Sequence, residues 1–206
     1  MRSNSCKNNN ECNGKRKLLK GLPIHAFDLI TDSMGFRAVA VALYRVITSK
    51  NVVLIVETAQ QTKNLEMLVG TVTKSLPAGF LGLILKEDLP FIVTNVEEFK
   101  RNWTDFVGKE ICMVEKETTV KNPGVDLMEQ TLGDTLSFEV ALGSKSPSDN
   151  SIRQIIQILR RITAAVKQSR INYAGELPSE ENFSKQSLRT ETERLLVKHI
   201  SIMLGK

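Results

Sequence analysis

The sequence predicts an α+β fold. It reads as a single domain with a mixed or largely antiparallel sheet of about five strands, covered by helices, and two helices at the C-terminal end. Three observations carry this expectation. Val52-Val53-Leu54-Ile55-Val56 is a continuous apolar run of the kind buried on both faces of a sheet. Phe80–Leu85 and Phe91–Thr94 are two further strand-sized runs, and Lys86-Glu87-Asp88-Leu89-Pro90 between them suits a hairpin loop. Near the C-terminus the apolar period lengthens to that of a helix, twice in succession.

Residues 1–21 read as a disordered basic tail, because Ser3 to Asn13 offers almost nothing apolar to offset ordering entropy. The folded domain is expected over 22–206. Ile24, Phe27 and Ile30 suggest a short helix. Ser33 is then a candidate cap for a second helix that buries Phe36, Val39, Ala40, Leu43 and Ile47, with Gly35 joining the two. Thr62 is a candidate cap for a helix carrying Leu65, Leu68, Val69, Val72 and Leu76, which Pro77 stops. Asn95 and Glu98 form an N-cap pair, opening a helix with Val96, Phe99, Trp103 and Val107 on one face. Ile111–Val114 and Leu136–Leu142 look like strands. Asn122-Pro123-Gly124 marks a turn, and Val125–Leu132 a short helix ending near Gly133. Ser146 to Asn150 reads as a linker, with Ser151 capping a helix, and Pro178 breaks the chain again within Glu176–Glu181. A last helix runs from Ser187 toward Leu204, with Leu188, Leu195, Leu196, Ile200 and Met203 inward.

The 206 residues suffice for a real core without disulfides or metals. No apolar run approaches the roughly 18 residues of a membrane-spanning helix, and no secretory signal pattern is visible. Three sparse cysteines, Cys6, Cys12 and Cys112, suit a reducing compartment. The expected setting is therefore intracellular, cytoplasmic or nuclear.

Catalytic signatures are sparse. The chain has no Gly-x-x-x-x-Gly-Lys loop to wrap phosphate. Gly79-Phe80-Leu81-Gly82 is too short and too apolar for a dinucleotide turn. Cys112 sits in an apolar strand pattern, so it reads as a core thiol rather than the nucleophile of a pair with His25 or His199. Cys6, Cys12 and His25 have the wrong spacing for zinc. Asp126, Glu129 and Asp134 read as carboxylates on a solvated helix. The expectation is no cofactor, no metal and no catalytic residue.

The most informative stretch is Ser151–Gly175, which holds four arginines, one lysine and no acidic residue. Ile152, Ile155, Ile156, Leu159, Ile162 and Val166 make one apolar stripe. Arg153, Arg160 and Lys167 recur every seven residues on the other flank; Arg161 widens that row and Arg170 extends it. Charge is asymmetric along the chain. Residues 1–21 carry six Lys/Arg against one Glu, residues 22–150 twelve against seventeen acids, and residues 151–206 ten against five. Basic ends thus flank an acidic middle.

The leading expectation is a non-enzymatic binding or scaffold protein that contacts a polyanion, nucleic acid first, without sequence specificity. Arg153, Arg160, Arg161, Lys167 and Arg170, with Lys15, Arg16, Lys17 and Lys20 of the tail, would neutralise phosphates. No aromatic interleaves with the helical row, so base stacking on it is not expected. The second expectation is a protein assembly subunit, self-associating or of a viral structural or accessory type, whose basic helix meets an acidic protein surface or a membrane surface. Peripheral membrane contact ranks lower, because it needs the apolar stripe free. The third is an enzyme with an unfamiliar site.

Overall fold

The computed structural model describes residues 31–49, 51–74, 91–115, 121–141, 147–172, 188 and 190–205. The sheet they contain differs from the one the sequence predicts. Among the described residues it has three strands, all parallel: β1 (Val52–Val56), β2 (Phe91–Asn95) and β3 (Glu110–Met113), in the order β2-β1-β3. Val52 lies level with Phe91 and Glu110, and Ile55 with Thr94 and Met113. The expected five-stranded mixed or antiparallel sheet is therefore corrected to a short parallel sheet, and the described residues are mostly helical. The expected strand at 80–85 and hairpin at 86–90 lie outside the described residues, as do the tail, the helix at 24–30, Leu76-Pro77 and the break at 176–181.

Parallel neighbours need long crossovers, and helices supply them. The helices are α1 (Phe36–Thr48), α2 (Ala59–Lys74), α3 (Val96–Arg101), α4 (Pro123–Ala141), α5 (Pro147–Asn172) and α6 (Glu191–Gly205), with a 3-10 turn at Trp103–Phe106. The chain passes from β1 through α2 to β2. It then returns through α3 and the 3-10 turn to β3 on the far side of β1. All five residues of β1 are buried, as its position in the centre requires. Val52, Leu54 and Val56 join the main core with Phe91, Cys112 and Val114 and with α1, α2, α4, α5 and α6. Val53 and Ile55 face the other way, where α3 contacts β1 and β2.

Helix α1 is buried almost throughout, from Ala38 to Tyr44, because it touches β1 together with α2, α4 and α6. Its alanines permit that close approach. Ser33 does not cap it. Gly35 does, at φ 83° without a side-chain bond, and an earlier helical turn at 31–34 precedes it. A left-handed φ is open to glycine at no steric cost, so Gly35 sets the bend between the two helical runs.

Helix α2 starts four residues earlier than Thr62 would place it. Thr58 Oγ1 accepts from the Gln61 amide at 3.2 Å, and the Thr58 amide donates to Gln61 Oε1 at 2.9 Å. This is a capping box read from Thr58-x-x-Gln61. Thr58→Ala is expected to lower stability by about 1 kcal/mol, measured by urea unfolding with an unchanged slope.

The cap at Asn95 is as the spacing predicts: the Glu98 amide donates to Asn95 Oδ1 at 2.9 Å. The helix it opens is short. It stops at Arg101, so the expected single face of Val96, Phe99, Trp103 and Val107 does not form. Phe99 stacks on Phe106 at 5.3 Å between ring centroids, while Trp103 and Val107 are 60% and 69% exposed.

Of the expected strand at 136–142, residues 136–141 are helix, and Leu142 lies outside the described residues. Helix α4 runs through Gly133 to Ala141. A glycine costs a helix interior about 1 kcal/mol, which is not enough to stop one that packs on α1, α5 and α6. Helix α5 also starts earlier than expected, at Pro147 rather than after Ser151, using proline where a first-turn N–H has no partner to lose. Helix α6 begins at Glu191 rather than near Ser187, so Leu188 precedes it; Leu188, Leu196 and Ile200 are buried as expected, and Val197 joins them. Leu195 and Met203 are instead exposed.

Candidate functional site

Helix α5 is a fixed part of the fold. Its residues Ile152, Ile155, Ile156, Ile158, Leu159, Ile162, Ala165 and Val166 are buried in the main core. The stripe that a membrane-lying helix would need is therefore already covered. No helix among the described residues is long and apolar enough to cross a membrane.

On the opposite side, Arg153, Gln157, Arg160 and Ala164 are exposed. They fall at i, i+4, i+7 and i+11, one continuous outward row with no carboxylate in it. At 1.5 Å per residue the two arginines stand about 10 Å apart along the axis. Lys167 and Arg170 belong to the same helix, on its backbone, with side chains outside the described set. Lys15, Arg16, Lys17 and Lys20 also lie outside the described residues.

Arg161 is placed differently. One residue past Arg160, it turns by about 100° toward α6. There its Nη2 donates to Glu193 Oε1 at 2.6 Å and its Nε to Oε2 at 3.3 Å. Glu193 is 0% exposed and Arg161 14%. The Thr190 hydroxyl accepts from the Glu193 amide at 3.1 Å, fixing the first turn of α6 beneath the pair. Arg161 thus ties α5 to α6 through a bidentate bond, the strong geometry for guanidinium and carboxylate. The sequence signal for it was Thr190-x-x-Glu193, a cap pattern whose glutamate was free to turn inward.

Several carboxylates of the acidic middle have partners among the described residues of that same part of the chain. Arg37 of α1 holds both Asp126, at 2.7 Å, and Glu129 of α4. Those two carboxylates raise the Arg37 guanidinium above its ordinary range, its hydrogen bond to Asp126 foremost. Arg45 holds Glu110 at 2.9 Å. Asp134, grouped with Asp126 and Glu129 by sequence, instead accepts from the Thr192 hydroxyl at 3.3 Å. The three carboxylates therefore do not converge, and no group of three potential metal ligands occurs among the described residues.

The remaining reactive side chains are structural in their surroundings. Cys112 is buried beneath the helices, and burial pushes its thiol pKa up, so it stays protonated near neutral pH. His199 lies 3.0 Å from the hydroxyl of Tyr44, itself buried and pushed up by desolvation. The bond joins α6 to α1. His25, Cys6 and Cys12 lie outside the described residues. At the carboxyl ends of the strands, where open parallel sheets bind ligands at a switch in strand order, stand Glu57, Thr58 and Glu115. Thr58 is occupied as a cap, and two carboxylates there disfavour a phosphate. Comparison of the chain with protein-family models, with curated proteins and with solved structures finds no match.

Proposed function

We propose that the protein binds a polyanion, nucleic acid first, through the outward row of α5. The observation that carries this reading is the division of that helix: apolar side in the core, Arg153 and Arg160 exposed in an acid-free row. Arginines held on a packed helix lose little freedom on meeting phosphates, and each phosphate contact releases condensed counterions. Asp126, Glu129 and Glu110 of the acidic middle are engaged by Arg37 and Arg45. The basic tail and the positions of Lys167 and Arg170 would extend the same field.

Contact made this way is to the backbone and tolerant of sequence. The test is fluorescence anisotropy of a labelled oligonucleotide at low salt, with wild type and the double variant R153E/R160E. The variant is expected to bind at least about tenfold more weakly for two phosphate contacts reversed, with the helical spectrum unchanged. Equal binding by both proteins, or none by wild type, would sink the reading. Retention of an acidic protein surface in place of nucleic acid, lost in the same variant, would transfer the row to protein assembly.

A further inference from the structure

We propose that the turn between α3 and β3 is a membrane-contact site. Trp103 and Val107, backed by Ile111 and Met113, enter the interface of an anionic bilayer, and Lys100, Arg101 and Lys109 meet its phosphates. This goes beyond the polyanion reading of α5 and does not rest on it.

Six large apolar side chains are exposed among the described residues, and four of them fall within residues 103–113: Trp103, Val107, Ile111 and Met113. Apolar residues exposed singly are ordinary, whereas a cluster marks a contact surface. Ile111 lies level with Val53 and Met113 with Ile55, so both belong to the sheet face on which α3 packs. Four residues of chain span at most about 14 Å, which keeps Val107 close to Ile111 and the turn beside that face.

The turn is held in place by its own backbone. The amides of Asn102, Asp105, Val107 and Lys109 donate to the carbonyls of Glu98, Asn102, Thr104 and Phe106 at 3.0, 3.0, 3.4 and 3.1 Å. Phe99 stacked on Phe106 ties the turn to α3. Backbone donors already paired in this way cost little to bring toward acyl chains.

Charge selects the occupant. Lys100 and Arg101 are exposed at the end of α3, and Lys109 follows the turn. Between Phe99 and Met113 the carboxylates are Asp105 and Glu110, and Glu110 is held by Arg45. A nucleic acid would engage the cations and stack on Trp103, but it offers nothing to Val107, Ile111 and Met113. A second copy would bring the same cations to the same patch, like charge against like. An anionic bilayer suits every part. The indole takes the headgroup level with its N–H wet, the aliphatic side chains reach the acyl boundary, and the cations meet phosphates.

Trp103 is the chain's one tryptophan, so its fluorescence reports on the site alone. The full chain, without nucleic acid, is titrated with phosphatidylcholine vesicles with and without phosphatidylserine. In buffer, Trp103 is expected to emit as a tryptophan in water and to be quenched by acrylamide. Phosphatidylserine vesicles should shift its emission to the blue and protect it. V107D should lose that shift, and K100Q/R101Q should weaken binding roughly 25-fold, about fivefold for each cation. Circular dichroism verifies that both variants fold. Four results would each overturn the proposal. Trp103 shielded in buffer would mean that the site is already covered, and vesicle binding without a shift would place the contact elsewhere. A shift unaltered in V107D would do the same. An emission change caused by an oligonucleotide, or by protein concentration alone, would transfer the patch to base stacking or to a second copy.

Discussion

Urea unfolding of the Arg161→Met variant is expected to show a loss of about 3–5 kcal/mol, the cost of removing the bidentate cation from a buried carboxylate. Glu193 has no exposure of its own to fall back on, and both of its oxygens are held by Arg161. The double variant R161M/E193L removes both charges and leaves apolar volume between α5 and α6. It is expected to recover most of the loss, since a well-packed apolar pair often equals a buried ion pair. A single variant as stable as wild type would mean that water or another neighbour takes over Arg161's role at Glu193. The same geometry rules out Arg161 as a useful probe of binding, because its loss disturbs the fold before it disturbs any surface.

The second large effect is at Gly124, in the first turn of α4. A methyl group there would overlap Cε2, Cζ and the hydroxyl of Tyr44. Tyr44 is 1% exposed and bonded to His199, so its ring has nowhere to move without breaking the contact between α1 and α6. Gly124→Ala is expected to destabilise by about 1–3 kcal/mol through overpacking. The same substitution at Gly70 of α2 meets nothing within 4 Å. There it is expected to stabilise by about 0.5–1 kcal/mol, because alanine favours the helix and restricts the unfolded chain. Thermal unfolding of the two variants should move in opposite directions. Shifts of the same sign would contradict the packing around Tyr44.

Those sites also show what the sequence made legible. The buried run Val52–Val56, the apolar stripe of α5 and the Asn95 cap are visible as patterns because each is local: period, continuity or a three-residue spacing. Strand pairing is not local. β1 and β2 stand far apart in the chain, and an apparent hairpin at 80–94 points to antiparallel pairing, although a strand buried on both faces suits a parallel sheet. At Leu136–Leu142 two periods overlap. Leu132, Leu136 and Val140 continue the helical spacing of Val125 and Met128, but the dense apolar run also fits a strand. Helix packing on α1 decided it. Arg161 was grouped with Arg160 because adjacent residues look alike in a charge run. A turn of about 100° per residue separates their surroundings completely, and only the placement of α6 reveals which one faces inward.

The outward row of α5 is proposed to neutralise phosphates. The most direct measurement is the salt dependence of oligonucleotide binding by wild type and by R153Q/R160Q, which removes charge without reversing it. Each lost phosphate contact should flatten the logarithmic salt slope by about 0.9 on duplex or about 0.7 on single strands, so the double variant should flatten it by roughly two contacts. The loss should be the same for oligonucleotides of different sequence. Identical slopes for the two proteins would contradict the account, placing any binding elsewhere on the chain.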